Sequence, residues 1–279
     1  MKPAHLRLCR SLLFLPASNA RAIEKARGLD CDMIVLDLED AVRPEDKPAA
    51  REAAVAACRE GFGDRITAIR INARQTAYYE DDLLCVRESA ADFVVLAKVE
   101  NAGEAGEAAG ATGKPLLAMI ETPRGVIEAD SIAPATRGLI AGTNDLCAEL
   151  GIEPGGSRAG LAYALQRIVI AARGAGVATF DGVYNGLQDD PELAKECEQG
   201  KGYGFDGKSL IHPSQITTAN RLFGPGEQEV EAALRLIEAA TGGAERFEGR
   251  MIETMHVSRA RAVLAKARAR ALPAGEPFP

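Results

Sequence analysis

Residues 93–125, "FVVLAKVENAGEAGEAAGATGKPLLAMIETPRG", hold one complete unit of the fold. An aliphatic run (93–100) leads into an alanine-rich, helix-like stretch, and a second apolar run (116–122) follows with no linker between. Runs of this length without polar alternation read as strands covered on both faces, as parallel strands are. Parallel neighbours need a crossover, and the alanine-rich stretch supplies one.

The same unit recurs in both directions. Comparable runs lie at 11–16, 33–40, 66–72, 138–145, 177–183 and 208–213, making eight in all. Between them lie stretches such as "RAGLAYALQRIVIAARGAG", with apolar residues at 161, 165, 168, 169 and 172, a helical spacing that closes on Gly174 and Gly176. Eight strands alternating with helices make this an α/β chain and predict a (β/α)8 TIM barrel; a doubly wound open sheet is the competing layout. The barrel, as catalytic domain, is expected over 1–223. Gly-Pro-Gly at 224–226 marks the expected boundary of a C-terminal helical extension, 224–279.

Composition excludes several classes. A net charge of −7 argues against nucleic-acid and anionic-membrane partners. The six cysteines are scattered with no CxxC pair, which reads as reduced core thiols and a cytoplasmic setting. Three dispersed histidines make zinc a poor fit. Near the start, the apolar patch "LLFL" breaks at Pro16, too short for a secretory signal, and no run is long enough to cross a membrane. "GYGFDG" (202–207) precedes a strand instead of following one, so it is no dinucleotide fingerprint.

Almost every run stops on a polar residue: Asp37, Glu39 and Asp40; Arg70 and Asn72; Lys98 and Glu100; Glu121; Asn144 and Asp145; Asp181; Lys208 and His212. In a barrel those ends form the catalytic face, so the apolar run is wall and the polar end is mouth. Glu121 and Asp145 belong on neighbouring strands. Two adjacent carboxylates repel unless a cation or a proton sits between them, and Mg2+ suits oxygen-only ligation; alternatively, the pair lies at helix caps, with Thr122-Pro123 an N-cap and first turn. Arg70, inside "AIRIN", fits a substrate carboxylate or an internal salt bridge to Asp37 or Glu100. Arg21 and Lys25, four residues apart, could hold phosphates or form a solvated face.

Taken in order, "RSLLFLPASNARAIEKA", "MIVLDLEDAVRPEDKPAARE", "IRIN", "LAKVENA", "IETPRGV", "NDLCAELG", "DGVYN", "GFDGKSLIHPSQI" and "GRMIETMHVSRA" resemble the citrate lyase beta-subunit and malyl-CoA/citramalyl-CoA lyase group of the HpcH/HpaI aldolase family. The resemblance covers nearly the whole chain. It implies Mg2+ on Glu121 and Asp145, with Arg70 and Glu121 binding the acid part of the substrate. It implies coenzyme A on Phe14, Arg21, Lys25, Ile211 and His212, and trimers or hexamers in which a C-terminal acid serves the neighbour's site. That motif usually reads "MID"; here it reads "MIE", which makes Glu253 the catalytic acid beside Arg70. "PASN" and "AGTND" replace the commoner "PG" loop and "FGAED" forms.

The activity implied is Mg2+-dependent carbon–carbon cleavage of a 3-hydroxyacyl-CoA, giving acetyl-CoA and pyruvate or glyoxylate. The citramalyl substrate is favoured by the short chain. Alternatives on the same site are citryl thioester cleavage with an acyl carrier partner, synthase or thioesterase activity, and a non-enzymatic acyl-CoA-binding scaffold.

Overall fold

Each of the eight runs carries a strand in the computed structural model, which describes residues 3–153, 158–187, 191–240, 243, 245–247 and 249–271. The strands are β1 (Ser11–Pro16), β2 (Met33–Asp37), β3 (Ile66–Ile71), β4 (Phe93–Leu96), β5 (Leu116–Ile120), β6 (Gly138–Ala141), β7 (Ala178–Asp181) and β8 (Gly207–Leu210). They pair in chain order, all parallel, and β1 closes on β8 through Ser11↔Lys208, so the sheet is a barrel and not an open sheet.

The helices are α1 (Ala20–Ala26), α2 (Lys47–Glu60), α3 (Tyr79–Glu88), α4 (Ala102–Thr112), α5 (Pro123–Ile127), α6 (Ala129–Ile132), α7 (Thr143–Leu150), α8 (Ala162–Ala175), α9 (Pro191–Tyr203) and α10 (Ile216–Phe223). Local chemistry sets their ends. The Asn101 side chain accepts the Glu104 N–H at 3.0 Å to start α4. Thr122 does the same for Gly125 at 3.0 Å, with Pro123 opening α5. Gly176, at φ 71°, ends α8 in the left-handed conformation that glycine adopts without strain.

Two apolar clusters explain why the runs show no alternation. Leu12, Phe14, Met33, Val35, Phe93 and Phe180 fill the barrel interior. Their chain neighbours, among them Leu13, Leu15, Ile34 and Leu36, pack between barrel and helices. Both faces of every strand are therefore dry. Period-2 direction survives in the structure but leaves no trace in hydropathy.

After the barrel come α11 (Glu227–Ala239), a short hairpin of β9 (Glu245–Phe247) and β10 (Arg250–Ile252), and α12 (Thr254–Ala271). They lie within the span 224–279 expected as a C-terminal helical extension, of which 241–242, 244, 248 and 272–279 lie outside the described residues; the hairpin was not expected. In α12, Lys266 Nζ donates to Asp206 O at 2.6 Å. Asp206 immediately precedes β8, so this part of α12 docks at the end of the barrel away from the mouth. Among the described residues no helix is long and apolar enough to cross a membrane.

Candidate active site

Strand parity decides which polar ends reach the mouth. The positions continuing the inward series of β2, β3 and β5 are Asp37, Arg70 and Glu121. Together with Asp145 in the first turn of α7, they line one cavity of about 320 Å3, walled by Phe14, Met119 and Ile211. That is the size of a small-molecule site.

Arg70 is held hard. Its Nε and Nη2 donate to Asp37 Oδ1 and Oδ2, both at 2.6 Å, and Nη1 lies 2.9 Å from Glu39 Oε2. Its guanidinium carbon stands 5.3 Å from the centre of the Phe14 ring. Burial alone would lower its pKa, but Asp37, Glu39 and Glu121 outweigh that and hold it above the ordinary arginine value. The internal salt bridge is real, made to Asp37 and Glu39 and not to Glu100. Two N–H groups are committed to Asp37, while Nη1 makes a charge contact with Glu39 and a weak bond to Met119 Sδ at 3.6 Å that a ligand oxygen can replace.

Glu121 is 1% exposed. Its Oε1 accepts the Lys98 backbone N–H at 2.8 Å, and Lys98 Nζ lies 3.0 Å from both Asp145 Oδ1 and Glu39 Oε1. Asp145 does not cap α7, which has no side-chain cap bond. Burial pushes Glu121 up to about 8; Glu39 and Asp145 add to the rise, while Arg70 and Lys98 oppose it. Burial likewise raises Glu39. Four carboxylates thus face two cations.

These residues fit Mg2+. The donors are all oxygens, and the buried Glu39 Oε2 has no properly directed hydrogen bond. Among the described residues no cluster of three or more His, Cys, Asp or Glu could hold a metal ion, which disfavours a closed all-protein cage and leaves two carboxylates with room for water and substrate. Gly142 makes that room: a β-carbon on it would come within 2.3 Å of Glu121 Oε2.

Other expected residues lie elsewhere. Arg21 and Lys25 are exposed on α1, beside the cavity's β1 wall but not lining it. His212 starts a 3-10 helical turn (Pro213–Gln215), its Nδ1 2.8 Å from Ser214 Oγ. Glu253 is exposed just before α12 and does not line its own chain's cavity.

The reading of the strand ends needs correction at three places. Asp181 and Lys208 fall on outward parity and meet behind the sheet, with Lys208 Nζ 3.2 Å from Asp181 Oδ2 and 3.1 Å from Glu196 Oε2. Arg158 completes that knot through Asp181 Oδ1 at 2.5 Å. Asn72 also turns away, its oxygen taking Lys47 Nζ at 2.9 Å and its amide giving to Asp82. Lys98 and Glu39, already among the charged strand ends, do meet at the site, and Gly142 joins them. The only sequence signal for the first two was charge inside an apolar run; Gly142 gave none.

Comparison with known proteins places this geometry. Residues 10–213 match the HpcH/HpaI aldolase/citrate lyase family model. A (3S)-malyl-CoA thioesterase of Cereibacter sphaeroides (strain KD131) is 41% identical over 271 residues, covering 93% of this chain and 95% of the relative. Citrate lyase subunit beta of Escherichia coli (strain K12) is 34% identical, with 92% and 93% covered. CitE from Mycobacterium tuberculosis, solved with magnesium, acetoacetate and coenzyme A, superposes with a TM-score of 0.80 at 32% identity, covering 92% and 97% of the two chains. A citrate lyase beta subunit from the same organism, solved with oxaloacetate and magnesium, gives 0.71 at 33% identity, covering 79% and 99%.

Proposed function

The chain belongs to the HpcH/HpaI aldolase/citrate lyase family, and from that premise we propose that it is a Mg2+-dependent carbon–carbon lyase acting on a 3-hydroxyacyl-CoA of the malyl or citramalyl type. The observation that carries this reading is the meeting of Glu121, Asp145 and Arg70 in one small cavity. Glu121 and Asp145 would hold the ion. Once bound, Mg2+ supplies Lewis acidity toward the substrate's hydroxyl and carboxylate oxygens.

The chain's own residues do the rest. Arg70, locked by Asp37, offers the N–H groups that Asp37 does not take to the substrate carboxylate without having to be reoriented. As the substrate hydroxyl gives its proton to the Glu253 carboxylate of a neighbouring subunit, its C–O bond becomes a carbonyl and the adjacent C–C bond breaks. The electron pair passes to the thioester enolate, and the 2-oxo acid leaves. Glu253 of a neighbouring subunit then returns a proton to the enolate carbon, giving acetyl-CoA.

A cavity of about 320 Å3 accepts the acyl end and excludes the nucleotide. Coenzyme A would therefore cross the β1/β8 side of the mouth, past Phe14 and Ile211, with Arg21, Lys25 and His212 outside to meet its phosphates. Glu253 is exposed and not among the residues lining its own chain's cavity, which favours a homo-oligomer, a trimer or hexamer, in which sites are completed between subunits. Six free cysteines favour a cytoplasmic setting.

Thioester hydrolysis is the second reading, favoured by the 41% identity to a malyl-CoA thioesterase. Product analysis separates the two. Malyl-CoA and citramalyl-CoA incubated with enzyme and Mg2+ should release glyoxylate or pyruvate with acetyl-CoA and no free thiol. Free coenzyme A with intact malate or citramalate would assign the thioesterase instead. Neither product from either substrate would leave citryl thioester cleavage or a binding scaffold, which citryl-CoA as a third substrate separates.

A further inference from the structure

Lys98 has φ 52°, the one left-handed backbone among the described residues that is not glycine. A residue with a β-carbon persists there only where its surroundings impose it. Here the imposed geometry points one residue at both carboxylates assigned to Mg2+. The backbone N–H donates to Glu121 Oε1 at 2.8 Å, and Nζ sits 3.0 Å from Asp145 Oδ1. Nζ also contacts Glu39 Oε1 at 3.0 Å, with Asp40 Oδ2 at 4.0 Å.

An ammonium and a divalent cation cannot both sit against Asp145 Oδ1 without repulsion. We propose that Lys98 is a positioning residue whose ammonium competes with Mg2+ for Asp145, so that metal binding is an exchange of one cation for another. On exchange Lys98 turns wholly to Glu39 and Asp40, while its N–H keeps Glu121 aimed. The lysine therefore keeps Mg2+ affinity low in the free enzyme and leaves firm binding to the complex, where the substrate adds its own oxygens. This rests on Glu121 and Asp145 being the ligands.

The test is calorimetric titration of Mg2+ into EDTA-treated wild type, Lys98→Met, Lys98→Arg and Glu121→Gln. Lys98→Met removes a positive charge within contact distance of a ligand and is expected to bind Mg2+ at least ~10-fold more tightly. Lys98→Arg, which keeps the charge, should stay near wild type. Equal or weaker binding by Lys98→Met overturns the proposal while leaving the metal site standing, provided wild type binds and Glu121→Gln does not. No binding by either wild type or Lys98→Met, or undiminished binding by Glu121→Gln, removes the metal site itself. If Lys98→Met fails to fold, wild-type protein is acetylated and Lys98 modification followed by mass spectrometry. Mg2+ should raise the rate several-fold; an unchanged or slower rate overturns the exchange.

Discussion

Gly142 lies flush against Glu121, so closely that a β-carbon on the glycine would stand 2.2 Å from Glu121 Cβ. Its φ of −99° is open to any residue, so space alone requires glycine here. The contact ties the strand-end carboxylate of β5 to the start of α7, the helix that carries Asp145. Gly142→Ala should displace the Glu121 carboxylate, weaken Mg2+ binding at least ~10-fold and cost ~1–3 kcal/mol of stability by overpacking. Calorimetry and a thermal melt check both. Wild-type Mg2+ affinity in the variant would break the link between this contact and the metal.

Glu121 should also impose a pH dependence on EDTA-treated protein. Its folded pKa is pushed up to about 8, above the unfolded value near ~4.3. The folded protein therefore holds this proton longer than the unfolded chain. The stability it contributes is complete below the unfolded value and is lost as pH rises through 8. Denaturation midpoints of EDTA-treated wild type should fall across that window, with a flatter profile in Glu121→Gln. Because Mg2+ needs the carboxylate, stabilisation by Mg2+ should be greater at pH 8 than at pH 6. Parallel profiles for the two proteins would contradict the assignment.

The knot behind the sheet is expected to matter for stability alone. Burial would raise the Asp181 pKa, but Lys208 and Arg158 outweigh it and hold it below the ordinary aspartate value. Lys208 is wholly buried. Asp181→Ala leaves Lys208 and Arg158 with Glu196 as their shared counter-charge and should cost roughly 3 kcal/mol in chemical denaturation. Mg2+ affinity of the folded variant should be unchanged; a large loss would put Asp181 back at the mouth.

Sharing of sites between subunits can be tested by mixing. Glu253→Ala and Glu121→Gln should each be nearly inactive alone. Unfolded together and refolded as hybrids, they should regain activity, since some sites then combine an intact Glu121 with a neighbour's intact Glu253. No recovery in verified hybrids would return Glu253 to a structural role or to its own chain.

The barrel could be read from sequence because eight apolar runs separated by helical spacing admit few layouts. Direction within each run could not. With Leu12 facing inward and Leu13 outward, both buried, nothing in hydropathy tells that Asp37 and Glu121 point to the mouth while Asp181 and Lys208 point to the helices. Runs were also read too long. In "GLIAGTND" the strand stops at Ala141 and α7 starts at Thr143, so Asp145 is a helix residue beside a strand end. Lys98 stood among the charged strand ends, but its left-handed backbone is a feature that no side-chain pattern announces. The β9–β10 hairpin was missed because its strands are three residues each.

The most direct measurement is 2-oxo acid release from malyl-CoA and citramalyl-CoA by EDTA-treated protein as Mg2+ is titrated back. Glyoxylate or pyruvate should be absent at the start and appear saturably with Mg2+ in wild type, with Glu121→Gln and Asp145→Asn silent throughout. Undiminished release before any Mg2+ is added would contradict the assignment of these two carboxylates to the ion.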